Sequence, residues 1–205
     1  LWALHRELNH LSLRNYQLNQ LKKNNKKITV IGHAIISRDC FIADAVGLMP
    51  PDLRSDSDWK LFQEDLYYSD LVMIGRTSYK KFHENKRNRL IPTNQINGYD
   101  MREDLCFFNP NDIPMNEILL KYKPYPKKIA VAGGQGVYQL VFEQFAYSEF
   151  HLSIKENYEL KEGIHMIKGI NQLELVNEYM NKHGMYQSDK RRLDSDTIQH
   201  RYLKS

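Results

Sequence analysis

The sequence contains little cysteine: two residues among 205, Cys40 and Cys106, which lie far apart and form no Cys-x-x-Cys pair. So few cysteines exclude a disulfide framework, and without the pair we expect no zinc site and no other bound metal. No apolar run approaches the roughly 18 residues that a membrane span needs. We therefore expect a protein of a reducing compartment, the cytoplasm or an organellar matrix, that is neither secreted nor membrane-spanning.

The sequence also lacks a strong excess of charge of either sign. Its 29 basic and 25 acidic residues leave a net charge of +4, and the basic residues are scattered along the chain. Such a weak excess does not predict nucleic-acid binding, which usually needs a concentrated basic face. It suits an anionic small molecule instead.

Residues 1–27 differ in pattern from the rest of the chain. Leucines recur at the three-to-four-residue spacing of an amphipathic helix over residues 1–23, and a basic linker follows. Three interpretations stay open. The helix packs on its own domain, it binds a protein partner or a second copy of the chain, or it is a targeting segment, since Glu7 is its only acid. The main domain is expected to occupy residues 28–205.

From residue 28 onward, short apolar strands alternate with helix-like segments. Strands are predicted near residues 28–37, 71–74, 90–91, 105–108, 129–132 and 149–154, and a polar loop at 94–104. A helix is predicted from Trp59 to about Tyr68, capped by Ser57 or Asp58. Residues 173–179 and 197–203 look like a closing antiparallel pair. Together these elements predict an α/β fold with a mixed, mainly parallel central sheet flanked by helices, preceded by the extra N-terminal helix.

The predicted strand at 129–132 runs directly into two glycines, Gly133 and Gly134, and a helix-compatible run follows. This order leaves backbone N–H groups at a helix start, where they can hold an anion, and a Cβ there would block its approach. The pattern is neither the dinucleotide fingerprint G-x-G-x-x-G nor a P-loop. An ordinary turn between a strand and a helix explains the glycines equally well.

A second turn of the same kind is Gly75-Arg76-Thr77-Ser78, which adds a guanidinium and two hydroxyls. Arg76 can hold a phosphate through a forked pair of hydrogen bonds. Two such turns at the C-terminal ends of strands predict one extended anionic ligand that lies across both ends. A dinucleotide fits this description.

Asp58 and Phe62 lie one helical turn apart, so the carboxylate and the ring share a face of the predicted helix. Such a pair can bind a flat, amidine-like heterocycle through paired hydrogen bonds. The carboxylate can also help to deliver a proton if burial raises its pKa. The alternative is that Asp58 serves only as a helix N-cap.

Taken together, these segments resemble the dihydrofolate reductase superfamily, which includes the reductase domain of bacterial riboflavin biosynthesis. Residues 74–79, Ile-Gly-Arg-Thr-Ser-Tyr, are similar to its (M/I)GRxT(W/Y) motif, and residues 132–138, Ala-Gly-Gly-Gln-Gly-Val-Tyr, to its IGGxxVY motif. Residues 34–43 are similar to its first strand and turn, and residues 47–50 to its mobile active-site loop. The resemblance covers the chain from about residue 28 to the end.

The resemblance implies NADPH as the hydride donor and a pterin or pyrimidine as the small-molecule substrate. It assigns the cofactor to two groups of residues: Gly75, Arg76, Thr77, Ser78, Thr93 and Asn94, and then Ala132, Gly133, Gly134, Gln135, Gly136, Val137 and Tyr138. It implies that Asp58 anchors the substrate ring, with Ser153 as a water-mediated partner, and that Ile35 and Phe62 line the substrate site. Hydride would pass to an imine carbon while the adjacent nitrogen is protonated.

Two of the chain's departures from the family pattern affect the assignment of substrate-site residues. Two extra residues precede Asp58, so Asp56 and Asp52 are alternatives for the active-site acid. The arginine that binds the glutamate tail of folate has no direct match, and the candidates to replace it are Lys86, Arg87 and Arg89.

Three functions therefore stay open. The leading hypothesis is reduction of 7,8-dihydrofolate to tetrahydrofolate. The second is reduction of a ribosylaminopyrimidine, as in riboflavin biosynthesis, or of another flat heterocycle. The third is a reductase fold that has lost catalysis and acts as a binding or structural component of a larger assembly.

Overall fold

The computed structural model describes residues 28–81 and 87–205. The predicted N-terminal helix and linker, residues 1–27, lie outside the described residues, as does Lys86. Within the described ranges, no helix is long and apolar enough to cross a membrane.

A nine-stranded sheet forms the centre of the described part of the chain. The strands, in chain order, are β1 (Thr29–Ser37), β2 (Phe41–Ala43), β3 (Leu71–Met73), β4 (Arg89–Pro92), β5 (Tyr99–Met101), β6 (Leu105–Phe108), β7 (Lys128–Val131), β8 (Glu149–Lys155), β9 (Ile164–His165), β10 (Met185–Arg192) and β11 (Thr197–Lys204). The helices are α1 (Asp56–Tyr67), α2 (Arg76–Lys81), α3 (Met115–Leu119), α4 (Gln135–Gln144) and α5 (Leu173–Lys182), with a short 3-10 turn at Pro51–Leu53.

The spatial order of the large sheet is β10-β11-β8-β1-β7-β3-β4-β6-β5, and β2 pairs with β9 separately. The strands from β8 through β6 in this order are parallel, whereas β5, β10 and β11 join antiparallel to their neighbours. The predicted mixed, mainly parallel α/β sheet is thus confirmed.

The parallel strands of the sheet are mostly buried on both faces, as a parallel sheet requires. Successive side chains of β1 point to opposite faces of the sheet. Val30, Ala34 and Ile36 enter the larger apolar core with α4 and α5. His33 faces the other side, where its ring contacts Phe62 of α1. The side that α1 covers is therefore the one that carries polar side chains.

Three local predictions were wrong. Residues 173–179 form a helix, not a strand, because Val176 and Met180, four residues apart, are the positions that face the core. The true partner of β11 is β10, an outer strand whose residues after Met185 are all exposed and so show no alternating pattern. The predicted loop at 94–104 contains β5, which pairs with β6.

The start of α1 also differs from the prediction, because the helix begins at Asp56 rather than near Trp59. Ser55, not Ser57 or Asp58, is the N-cap, and its hydroxyl accepts a hydrogen bond from the backbone N–H of Asp58. Asp58 thereby lies inside the first turn, and its carboxylate is available for contacts across the cleft.

Candidate active site

The two glycine turns lie side by side, because β3 and β7 are parallel neighbours that end at the same edge of the sheet. The Gly75 N–H donates to the Gly133 carbonyl oxygen at 2.9 Å. Gly133 has a φ of +85°, and a Cβ there would collide with the hydroxyl of Tyr138, so this position requires glycine. The sequence-based expectation that both turns border one ligand site therefore has the required geometry.

Gly134 and Gly136 differ from Gly133, since an added Cβ at either would meet no atom of the described residues within 4 Å beyond its chain neighbours and the adjoining helix backbone. Gly134 is the N-cap of α4. The side chain of the next residue, Gln135, is turned away, because its Nε2 atom donates to the His165 carbonyl oxygen at 2.9 Å. Open backbone at the start of a helix is the surface on which a phosphate group can lie closely. The described side chains thus leave the backbone of this turn open to an anionic group.

A cleft of about 1310 Å³ runs from these turns to α1 and the loop at residues 47–49. Among the described residues, its lining includes six cationic side chains and a single carboxylate, that of Asp58. The cationic residues are Arg54, Arg76, Lys80, Lys81, Arg87 and Arg89. Two of them are paired with carboxylates outside the lining, Arg54 with Asp56 at 3.4 Å and Arg89 with Asp104 at 3.6 Å. The lining itself carries more cations than carboxylates, and such an excess raises the local concentration of anions, so the cleft is suited to a phosphorylated ligand.

Asp58 is the acid that reaches the cleft. It is 5% exposed and lines the cavity, whereas the side chain of Asp56 is 93% exposed and Asp52 is also exposed. Its Oδ1 atom accepts hydrogen bonds from the His33 Nε2 atom at 2.9 Å and from the Ser153 hydroxyl. The structure therefore brings Asp58 and Ser153, both predicted to lie at the substrate, into direct contact.

His33 is the principal site residue that the sequence analysis missed. It lies on β1 and is 5% exposed. Its Nε2 faces Asp58, and its Nδ1 faces the Oδ2 atom of Asp65 at 3.4 Å. Burial lowers the pKa of His33, but the hydrogen bonds and charges of Asp58 and Asp65 outweigh that effect, and the pKa is raised above its ordinary 6.5. The only indication in the sequence is an ionisable residue within an otherwise apolar strand.

A chain of hydrogen bonds extends from Asp58 through the sheet to its outer hairpin. The amide Nε2 of Gln199 donates to the Ser153 hydroxyl oxygen at 3.1 Å. Arg191 donates to the Oε1 atom of Gln199 from two nitrogens, at 3.1 and 2.6 Å. Because the guanidinium can only donate, it fixes the orientation of the Gln199 amide. The Ser153 proton is thereby directed towards Asp58.

The other predicted substrate-site residues lie around this centre. Phe62 meets the His33 ring edge-on, with centroids 5.2 Å apart, and Ile35 and Arg87 line the cleft. Tyr138 also lines the cleft, but its hydroxyl is buried and donates to the His33 carbonyl oxygen at 2.6 Å. Burial raises the pKa of Tyr138, so its hydroxyl stays protonated.

The predicted cofactor residues occupy different positions relative to the cleft. Those in its wall are Arg76, Thr77, Ser78, Ala132, Gly133 and Gly134. Val137 packs in the apolar core. Thr93 and Asn94 follow β4 outside the wall of the cleft, and the Thr93 N–H donates to the Phe108 carbonyl oxygen.

Neither a protein-family profile nor a curated protein sequence matches the chain, but solved structures do. A diaminohydroxyphosphoribosylaminopyrimidine deaminase/5-amino-6-(5-phosphoribosylamino)uracil reductase from Thermotoga maritima matches with a TM-score of 0.62 and 13% identity, over 89% of this chain and 58% of that one. A pyrimidine reductase-like protein from Corynebacterium diphtheriae matches with a TM-score of 0.63 and 10% identity, over 86% and 91% of the two chains.

Dihydrofolate reductase from Enterococcus faecalis, solved in complex with NADP(H), matches with a TM-score of 0.59 and 14% identity, over 86% of this chain and 96% of that one. Identities of this order establish likeness of fold. The chain therefore has the dihydrofolate reductase-like fold that the pyrimidine reductases and dihydrofolate reductase share.

Proposed function

We propose that the protein is an NADPH-dependent reductase that acts on a flat nitrogen heterocycle, with a phosphorylated ribosylaminopyrimidine as the favoured substrate. The observation that carries this proposal is the composition of the cleft. Two adjacent glycine turns form one wall, six cations line it, and its only described carboxylate lies buried opposite the turns. A cleft of this charge suits two phosphorylated molecules, the cofactor and the substrate.

The residues present fit the cofactor. The open backbone at Gly134 and Gly136 would hold the pyrophosphate, and Arg76, Thr77 and Ser78 would hold further phosphate oxygens. Thr93 and Asn94 remain proposed contacts of the 2′-phosphate, and Ile35 of the nicotinamide. When bound, NADPH supplies the hydride.

The chain's own residues orient the substrate and exclude water. Asp58 would accept a hydrogen bond from a ring N–H, while Phe62 supplies an apolar wall beside it. Leu48 and Met49 line the mouth of the cleft, where their half-exposed side chains can cover a bound ring. Holding two rings in contact in a dry cleft is the main contribution a protein makes to hydride transfer.

Reduction of 7,8-dihydrofolate is the second candidate. Two observations favour it: the contact between Asp58 and Ser153, and the presence of Val137 and Tyr138 after the glycine turn. The fold is also shared with dihydrofolate reductase. The pyrimidine is preferred because two of the solved structures described above are pyrimidine reductases or like them, and because the cleft is rich in cations.

The two substrates can be separated with purified full-length protein. We expect NADPH to be oxidised in the presence of 5-amino-6-(5-phosphoribosylamino)uracil, and more slowly or not at all with 7,8-dihydrofolate. The opposite order would make the protein a dihydrofolate reductase. Absence of NADPH binding at millimolar concentration would instead support the third hypothesis, a reductase fold without catalysis that serves as a structural component.

A further inference from the structure

His33 is held between two carboxylates of the same helix. Asp58 and Asp65 are seven residues apart on α1 and so lie on one face, directly over β1. Both His33 ring nitrogens point at carboxylate oxygens, at 2.9 and 3.4 Å. The ring also stacks on the His151 ring of β8, with centroids 5.6 Å apart and planes 7° from parallel.

This arrangement favours the protonated, positively charged imidazole. An ionised carboxylate can only accept hydrogen bonds, and a neutral imidazole has a single N–H to donate. A ring that donates to both carboxylates must therefore carry two protons and a positive charge. The raised pKa of His33 agrees with this conclusion.

The same arrangement limits what Asp58 can offer to a ligand. Each carboxylate oxygen has two acceptor positions, and those of Oδ1 are used by His33 and Ser153. From the described residues, Oδ2 receives no hydrogen bond. An amidine-like heterocycle pairs with a carboxylate through both oxygens and gains from its full negative charge. Here one oxygen is filled, and the charge is balanced by His33.

We propose that His33 is a specificity-determining residue, which leaves Asp58 a single acceptor atom and excludes cationic, amidine-like rings in favour of neutral rings that donate one N–H. This inference rests on the proposed function and narrows it. An oxo-pyrimidine such as a uracil has a neutral ring with N–H donors, whereas a 2,4-diaminopteridine binds best as a cation with two parallel donors. The cleft is thus matched to the first class.

The proposal is tested by binding of methotrexate, a 2,4-diaminopteridine, measured by calorimetry on the full-length protein without NADPH. We expect weak binding to the wild type and binding tighter by about tenfold or more to His33→Leu, since a charge-assisted hydrogen bond becomes available. His151→Leu is the matched control. It removes the neighbouring stacked imidazole, whose own contacts are with Glu149 at 2.7 Å and, at 3.4 Å, with the Oε1 atom of Gln199. Because Arg191 still holds that Oε1 atom and Asp58 keeps both His33 and Ser153, we expect the affinity of this variant to equal that of the wild type.

Removal of His33 takes the shared cation away from both carboxylates, although Asp65 keeps Lys128 at 3.6 Å. Folding of each variant is therefore checked by circular dichroism and thermal melting. If His33→Leu does not fold, His33→Gln is the variant to measure. Its neutral amide can still donate a hydrogen bond, but it carries no positive charge to balance the carboxylate of Asp58. Tighter methotrexate binding by a folded variant supports the proposal. Unchanged binding, or equal tightening by His151→Leu, overturns it.

Methotrexate binding needs neither the cofactor nor turnover, so this test is independent of the proposed reaction. Failure of NADPH to bind would remove the reductase function and leave the result for His33 in place. Conversely, the protein can reduce the pyrimidine while its His33 variants bind methotrexate no more tightly than the wild type. That result would keep the proposed reductase function and overturn the role of His33 in specificity.

Discussion

Substitution of Gly136 by alanine is expected to weaken the binding of the cofactor without lowering the stability of the fold. Gly136 is the second residue of α4, and an added Cβ would meet no atom of the described residues within 4 Å beyond its chain neighbours and the backbone of its own helix. Without a clash, alanine in a helix is more stable than glycine by roughly 0.5–1 kcal/mol. We therefore expect the free energy of unfolding to stay the same or to rise slightly.

The same substitution is expected to weaken the binding of NADPH. A methyl group on this open surface pushes a phosphate away from the backbone N–H groups at the start of α4. Loss of one charge-assisted hydrogen bond costs about 1.5–3 kcal/mol. That corresponds to roughly tenfold to hundredfold weaker NADPH binding. The assays are urea unfolding for stability and fluorescence titration for the NADPH dissociation constant.

Gly133→Ala is the contrasting variant. The φ of Gly133 is +85°, and the nearby Tyr138 hydroxyl leaves no room for a Cβ. We therefore expect alanine at this position to lower the free energy of unfolding by about 2–4 kcal/mol through backbone strain and overpacking. If Gly136→Ala binds NADPH as tightly as the wild type, the cofactor does not lie against the start of α4. The reasoning from the glycine turn would then be refuted.

Three further predictions concern the acidic centre. Asp58→Asn should lose most turnover, by about hundredfold or more, while NADPH affinity is kept, because the carboxylate holds the substrate and not the cofactor. Arg191→Ala should reduce turnover by about threefold to tenfold, since the Gln199 Oε1 atom then keeps only its longer contact with the His151 Nδ1 atom, at 3.4 Å, and Ser153 is less firmly oriented. His33 contributes stability below pH 6.5 that is lost as the pH rises through its raised pKa, so unfolding measured at increasing pH should show a fall that His33→Gln lacks.

Each of these has a matched control. Asp56→Asn, at an exposed carboxylate two residues away, should leave turnover unchanged, and equal losses in both variants would contradict the role of Asp58. Arg192→Ala, the control for Arg191→Ala, removes an exposed ion pair with Glu156 and should also leave turnover unchanged. Burial lowers the pKa of His165 and His200, which gives the opposite pH dependence. The difference between wild type and His33→Gln is therefore the quantity to compare, and parallel curves would refute the charge assigned to His33.

The sequence alone determined the features that depend on local pattern. The strand at 129–132, the glycines after it and the start of α4 follow from residue type and spacing, since apolar runs and glycines act over a few residues. The parallel sheet follows from alternation of strands and helices. Asp58 could be selected as a candidate, because the helix places Phe62 beside it.

Local pattern was insufficient where neighbours in space decide the structure. Residues 173–182 contain residues acceptable to either a strand or a helix, and packing of Val176 and Met180 on the core selects the helix. The outer strand β10 has a polar sequence and exists because β11 offers it backbone hydrogen bonds.

The acidic centre is likewise a product of tertiary structure. His33, Asp58 and Ser153 are separated by 25 and 95 residues along the chain. The family resemblance placed Asp58 and Ser153 at one site, but nothing in the sequence indicated that His33 joins them. The order of strands places β1 beside β8 and packs α1 over both, so that three buried polar groups become one another's hydrogen-bond partners. A buried polar group needs such partners, and only the folded chain decides which ones it receives.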